Sequence, residues 1–147
     1  MGTLTLPRSG LVYVDANVII YRVELIQPYM AITKPLWDAL DAGSQAIVTS
    51  EMTLLEVLVK PLRLGDTLLQ SLFIGTLYGT PHFSSLPIER QILEIAAQLR
   101  VAAGLKTPDA IHAATALEAG CSLFVTNDSA FKRVPYLAVA VLSDLTD

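Results

Sequence analysis

Four short, largely apolar runs, at residues 11–14, 46–49, 122–126 and 136–142, and a candidate third strand at 82–86 punctuate the chain, and segments of helical spacing separate nearly all of them. A strand this short that is apolar on both faces has no side to offer to water, so the sheet it joins needs cover above and below. Strands joined through helices run parallel. The expected architecture is therefore α/β, a single domain over residues 1–147 whose parallel-stranded sheet is flanked by helices on both faces. A chain of 147 residues is long enough to close one core, burying roughly two thirds of its unfolded surface.

The helical segments carry their own punctuation. Helix is expected from residue 17 to residue 26. Pro35 suits a first turn, and the helix it opens runs to Gly43. Ser50 can cap residues 51–60, which Pro61 closes. Residues 65–79 look helical despite three glycines and almost no charge. Residues 87–103 form an amphipathic helix stopped by Gly104, and Thr107 caps a helix with Pro108 in its first position that ends before Gly120. Leu68, Leu69, Leu72 and Phe73 recur at helical spacing, which suits a dimer interface, a groove for a partner helix, or packing on the sheet.

Composition narrows the function. Apolar residues make up 52% and charged residues 16% of the chain, against about 25% charged in an average soluble domain, so some apolar surface is expected to meet a partner. No apolar run approaches the ~20 residues of a membrane span, the first ten residues lack a signal-peptide core, and Leu6 stands where myristoylation at Gly2 wants Ser or Thr, so a cytoplasmic protein is expected. The single cysteine, Cys121, excludes an internal disulfide and a thiolate zinc cluster. The net charge of −4 has the wrong sign for a broad basic nucleic-acid face.

Residues 11–20, LVYVDANVII, would read as plain buried strand but for Asp15. A carboxylate among those neighbours is costly to desolvate without a partner. Ligands in open α/β sheets bind beyond the carboxyl ends of the strands, and two further acids lie there: Asp128 follows the strand at 122–126, and Asp109 opens the helix before it. Glu56 sits about two turns into the helix after the second strand, among Leu54, Leu55, Val57 and Leu58. Each has a plain alternative: Asp15 as an N-cap, Asp109 as a dipole partner, Asp128 as a turn residue, Glu56 as a snorkelling side chain. If they converge, charges ~4 Å apart repel by about 4 kcal/mol per pair at an effective dielectric of ~20, and a divalent cation relieves this. Hard oxygen donors point to Mg²⁺ or Mn²⁺ rather than zinc.

Together, V-D-A-N at 14–17, the S-E-M-T-L-L-E segment ending at Glu56, T-P-D-A-I-H-A-A-T-A at 107–116 and F-V-T-N-D at 124–128 resemble a PIN domain. The size is similar to that of VapC-type toxins of toxin–antitoxin pairs. That resemblance implies a metal-dependent endoribonuclease acting on RNA, often a homodimer, inhibited by a cognate antitoxin. It also implies that Asp15, Glu56, Asp109 and Asp128 form the acidic quartet, with Thr126 as the hydroxyl residue before the last acid and Asn17 as a supporting hydrogen-bonding residue.

On this reading Asp15 and Asp109 hold the principal ion, and Glu56 and Asp128 complete its shell or orient the attacking water. Removing four ligand charges takes −4 to zero, so the remaining surface does not oppose RNA. Phosphate contacts then fall to Lys106, Lys132, Arg133 or Arg22, each of which also reads as an ordinary solvated charge. His112, one turn after Asp109, can either reach the site or simply pack. Trp37, Phe73 and Tyr78 suit core or interface packing better than base stacking. The alternatives are an RNA-processing nuclease without an antitoxin, and a non-catalytic Mg²⁺-binding receiver-like module. The latter wants paired acids after the first strand, where Ala16 and Asn17 stand.

Overall fold

A computed structural model describes residues 2–146. Five strands, β1 (Val12–Val14), β2 (Ile47–Ser50), β3 (Phe83–Leu86), β4 (Leu123–Thr126) and β5 (Val139–Val141), form one sheet in the order β3-β2-β1-β4-β5. Every neighbouring pair is parallel. Six helices supply the connections and the cover: α1 (Ala16–Val23), α2 (Tyr29–Asp41), α3 (Met52–Leu64), α4 (Thr67–Gly79), α5 (Arg90–Ala103) and α6 (Thr107–Glu118). The expected α/β architecture is the one found. No helix among the described residues is long and apolar enough to cross a membrane.

The two-residue repeat of the strands divides the core. Val12, Val14, Ile47 and Val125 point to a cluster with Val18 and Ile19 of α1, Leu36 and Trp37 of α2, Val57 of α3, and Phe73 and Leu77 of α4. Tyr13, Val48 and Phe124 point the other way, to Ile92, Ala96 and Leu99 of α5 and the alanines of α6. The inner strands β1, β2 and β4 are thus covered from both sides, while the edge strands β3 and β5 are only partly buried.

Several helix boundaries differ from the sequence expectation: α1 ends at Val23 rather than residue 26, and α5 begins at Arg90 rather than residue 87. The helix containing Pro35 begins six residues earlier, at Tyr29, so this proline lies in its interior. An interior proline costs about 3 kcal/mol, and burial of Ile32, Leu36, Trp37 and Leu40 offsets it. Pro61 likewise does not close α3; it is buried within the helix, which ends at Leu64 where Gly65 adopts φ +64°. Thr107 is the first residue of α6 rather than its cap, a place taken by Lys106 without a side-chain hydrogen bond. The last strand is also shorter than expected, because Tyr136 turns with φ +64° and stands fully exposed.

Helix α4 resolves the question posed by its leucines. Phe73 and Leu77 are buried, while Leu68 is 70% and Leu72 48% exposed. Leu55, Val59 and Leu62 of α3 are exposed as well, so the α3–α4 hairpin presents apolar side chains to solvent.

Candidate active site

The pairing of β1 with β4 aligns Val14 with Val125, which places the next residues, Asp15 and Thr126, side by side at the carboxyl end of the sheet. Thr126 Oγ1 donates to Asp15 Oδ2 at 2.5 Å, and the same hydroxyl accepts from the Asp128 amide at 3.1 Å. Asp15 Oδ1 accepts from the Val18 amide at 3.3 Å, making Asp15 the N-cap of α1. Capping and a place in the lining of the acid cleft therefore coexist in one residue. Asp128 is similar, since its Oδ1 caps a short 3-10 turn, Ser129–Arg133, through the Ala130 amide.

Helices α3 and α6 contribute the other two acids. Asp109 lies in the first turn of α6, and Glu56 in the second turn of α3. The carboxylates of Asp15, Glu56, Asp109 and Asp128 line one small cleft of about 50 Å³, together with Ala16, Asn17, His112 and Phe131. Asn17 stands exposed at its lip. A larger hollow of about 270 Å³, bordered by Leu86, Pro87, Ile92 and Ala119, lies apart from these acids and is mainly apolar.

Electrostatics register the crowding. Burial pushes the Asp15 carboxyl up to about 6; the Thr126 hydrogen bond, the nearby His112 and the Val18 amide oppose that rise, and the Glu56 charge adds to it. Asp109 is also raised, by burial first and then by the Asp128 charge, with Glu56 adding to the effect and His112 and Lys106 opposing it. Both groups bind protons more readily than a solvated aspartate, as carboxylates taken out of water and held near other carboxylates should.

Two residues not assigned a role from sequence complete the arrangement. His112 is only 2% exposed, and its Nε2 lies 2.5 Å from Glu56 Oε1. Its Nδ1 lies 2.6 Å from the hydroxyl of Tyr13, a fully buried residue of β1. The histidine thus both packs and reaches the site. Nothing in the sequence signals Tyr13, whose flanking valines mark it as core.

The chemistry of the donors suits a hard divalent cation, being all carboxylate oxygen. Among the described residues, however, no three His, Cys, Asp or Glu side chains gather closely enough to hold one ion as they lie.

The candidate phosphate-binding cations scatter. Lys106 is close enough to act on Asp109, whereas Lys132 pairs with Asp144 at 2.5 Å. Arg133 donates to the Ala130 carbonyl, and the Arg22 guanidinium lies 5.5 Å above the Trp37 ring, at a separate hollow. Trp37 and Phe73 belong to the core, and Tyr78 bonds to Glu51 on the surface.

The family model described as PIN domain matches residues 12–137. Among solved structures, the fold is similar to that of VapBC2 from Rickettsia felis, solved bound to a DNA fragment from its promoter, with TM-score 0.70 at 18% identity over 89% of this chain and 98% of that one. A toxin–antitoxin complex from Klebsiella pneumoniae matches with TM-score 0.61 at 25% identity, covering 91% of this chain and 98% of that one. FitAcB from Neisseria gonorrhoeae matches with TM-score 0.61 at 23% identity, covering 91% and 99%. Comparison with curated proteins gives no match.

Proposed function

This chain belongs to the PIN domain family, and from that premise we propose that it is a Mg²⁺- or Mn²⁺-dependent endoribonuclease, the toxin of a toxin–antitoxin pair. The observation that carries the reading is the delivery of four carboxylates, from β1, α3, α6 and the turn after β4, to one cleft at the carboxyl end of the sheet.

Phosphodiester hydrolysis forms one P–O bond from water and breaks another to the leaving ribose oxygen. A divalent cation bound here supplies charge neutralisation at the phosphoryl group and a water acidic enough to attack at neutral pH. Asp15 and Asp109 are the residues proposed to hold it, with Glu56 and Asp128 completing the set or orienting the water. Thr126 holds the Asp15 carboxylate against free rotation and, by opposing the rise in its pKa, favours the ionised form a cation needs. Lys106, beside Asp109, is the cation best placed to meet phosphate.

The partner reading rests on the α3–α4 hairpin. Leu55, Val59, Leu62, Leu68 and Leu72 are all exposed, and an apolar face of this kind favours a partner or a second copy of the chain. The K. pneumoniae structure is a toxin–antitoxin complex, and the R. felis one is VapBC2 bound to a DNA fragment from its promoter. For this chain we assign the hairpin to an antitoxin and, in its absence, to a homodimer.

The test is cleavage of total cellular RNA with Mn²⁺, with EDTA, and by Asp109→Asn. Cleavage confined to the parent with metal is expected, together with growth arrest on expression. Soluble protein that leaves RNA intact with either metal overturns the nuclease reading. Cleavage without growth arrest favours an RNA-processing nuclease instead.

A further inference from the structure

We propose that His112 is a positioning residue, held in register by Tyr13, that fixes the carboxylate of Glu56 toward the cleft it shares with Asp15, Asp109 and Asp128. The inference rests on the nuclease reading above for its consequence, and on geometry for its substance.

Glu56 needs such a device. Its side chain is 31% exposed and has several rotatable bonds, so left to itself it would sample solvent-directed rotamers. His112 Nε2 meets its Oε1 at 2.5 Å from another helix, 56 residues later in the chain. The histidine itself has little freedom. Its ring stands edge-on to Tyr13, at 5.9 Å between centroids and 75° between planes. Tyr13 stacks on Phe124 at 4.8 Å, and Phe124 lies 4.5 Å from Phe131, which borders the acid cleft. An aromatic ladder across β1, β4 and the following turn thus braces the imidazole.

The hydrogen bonds also select a tautomer. A carboxylate only accepts, so Nε2 must carry the proton it donates to Glu56. In the neutral ring that leaves Nδ1 as the acceptor, and the Tyr13 hydroxyl, 2.6 Å away, is the donor that fills it. Both ring nitrogens are therefore spent on fixing Glu56, directly or through Tyr13. A histidine that merely filled space beside the alanines of α6 would have no reason to direct Nε2 at an acid of the site.

Side-chain stereochemistry gives a sharp test. Glutamine carries an amide nitrogen to the place of Nε2, whereas asparagine reaches only the place of Nδ1. Mn²⁺ affinity and RNA cleavage are measured for His112→Gln and His112→Asn. Removing an outer partner of a metal-binding carboxylate typically costs about 10- to 100-fold, and that loss is expected for His112→Asn, with His112→Gln close to the parent. Equal losses in the two variants, or none in either, overturn the proposal.

A second readout needs neither metal nor activity. In the nitrogen-15 spectrum of the metal-free parent, His112 should carry its proton on Nε2, slow to exchange with water, and Glu56→Ala should make that exchange fast. A proton on Nδ1 alone, or unchanged exchange in Glu56→Ala, refutes the assignment. An inert parent that keeps the protected Nε2 proton defeats the nuclease reading while upholding the positioning of Glu56.

Discussion

Thr126 and Asp15, separated by 111 residues of chain, meet at 2.5 Å because parallel pairing of β1 with β4 leaves them as the next two residues beyond the ladder. Both are buried, and the threonine hydroxyl serves two partners, donating to Asp15 and accepting from the Asp128 amide.

Thr126→Val keeps the shape and removes both bonds. The buried Asp15 oxygen is then left without its donor, which should cost about 1–3 kcal/mol in urea unfolding of the metal-free protein, with Thr126→Ser recovering most of the loss. An unfolding midpoint for Thr126→Val equal to that of the parent would show that this contact contributes nothing.

Asp15 makes metal-free stability depend on pH in a definite direction. Its folded pKa of about 6 lies above the ordinary 3.8, so between these values the folded chain binds more protons than the unfolded one. The stability it contributes is full below about pH 4 and is lost as pH rises through about 6. Relative to Asp15→Asn, the parent should therefore lose about 2 kcal/mol between pH 4 and pH 7 in EDTA, at about 1.4 kcal/mol per pKa unit. Parallel pH curves for the two proteins would contradict the shift.

Asp109→Asn should stabilise the metal-free chain, because it removes a charge that burial disfavours and that Asp128 and Glu56 repel. Asp109 is partly exposed, so solvent screening limits the gain to about 0.5–1 kcal/mol. Adding Mn²⁺ should reverse the order, with the parent gaining up to about 2.7 kcal/mol at a hundredfold excess over its dissociation constant and the variant gaining less. Thermal melts with and without Mn²⁺ provide the check.

The two sides of α4 should behave differently. Leu68→Asp with Leu72→Asp replaces exposed leucines and should leave the melting temperature near that of the parent while weakening self-association in sedimentation experiments. Phe73→Ala, at a buried position, should cost about 3–5 kcal/mol. Unaltered sedimentation of the double variant would remove the hairpin as a dimer surface.

Much of this arrangement was legible in the chain because the inner strands are apolar on both faces: that pattern calls for a covered parallel sheet, and the sheet dictates where ligands bind. Asp15, Asp109 and Asp128 could then be picked out by their places at strand or helix ends. Glu56 stood out by its apolar neighbours. Pro35 and Pro61 misled because burial of the surrounding helix outweighs the local cost of a proline. Asn127 is not singled out by the sequence within F-V-T-N-D, yet it bonds both Tyr21 of α1 and the Ser143 amide, contacts set by tertiary packing. Tyr13 and His112 were illegible as a pair for the same reason, since their 2.6 Å contact spans 99 residues.

The most direct measurement is a Mn²⁺ titration, followed by water-proton relaxation, of the parent and of Asp15→Asn, Glu56→Gln, Asp109→Asn and Asp128→Asn. Saturable binding by the parent that weakens in every variant is expected if the four carboxylates act as one site. A parent that binds no Mn²⁺ up to millimolar concentrations, or four variants that bind it as the parent does, would contradict a shared cation.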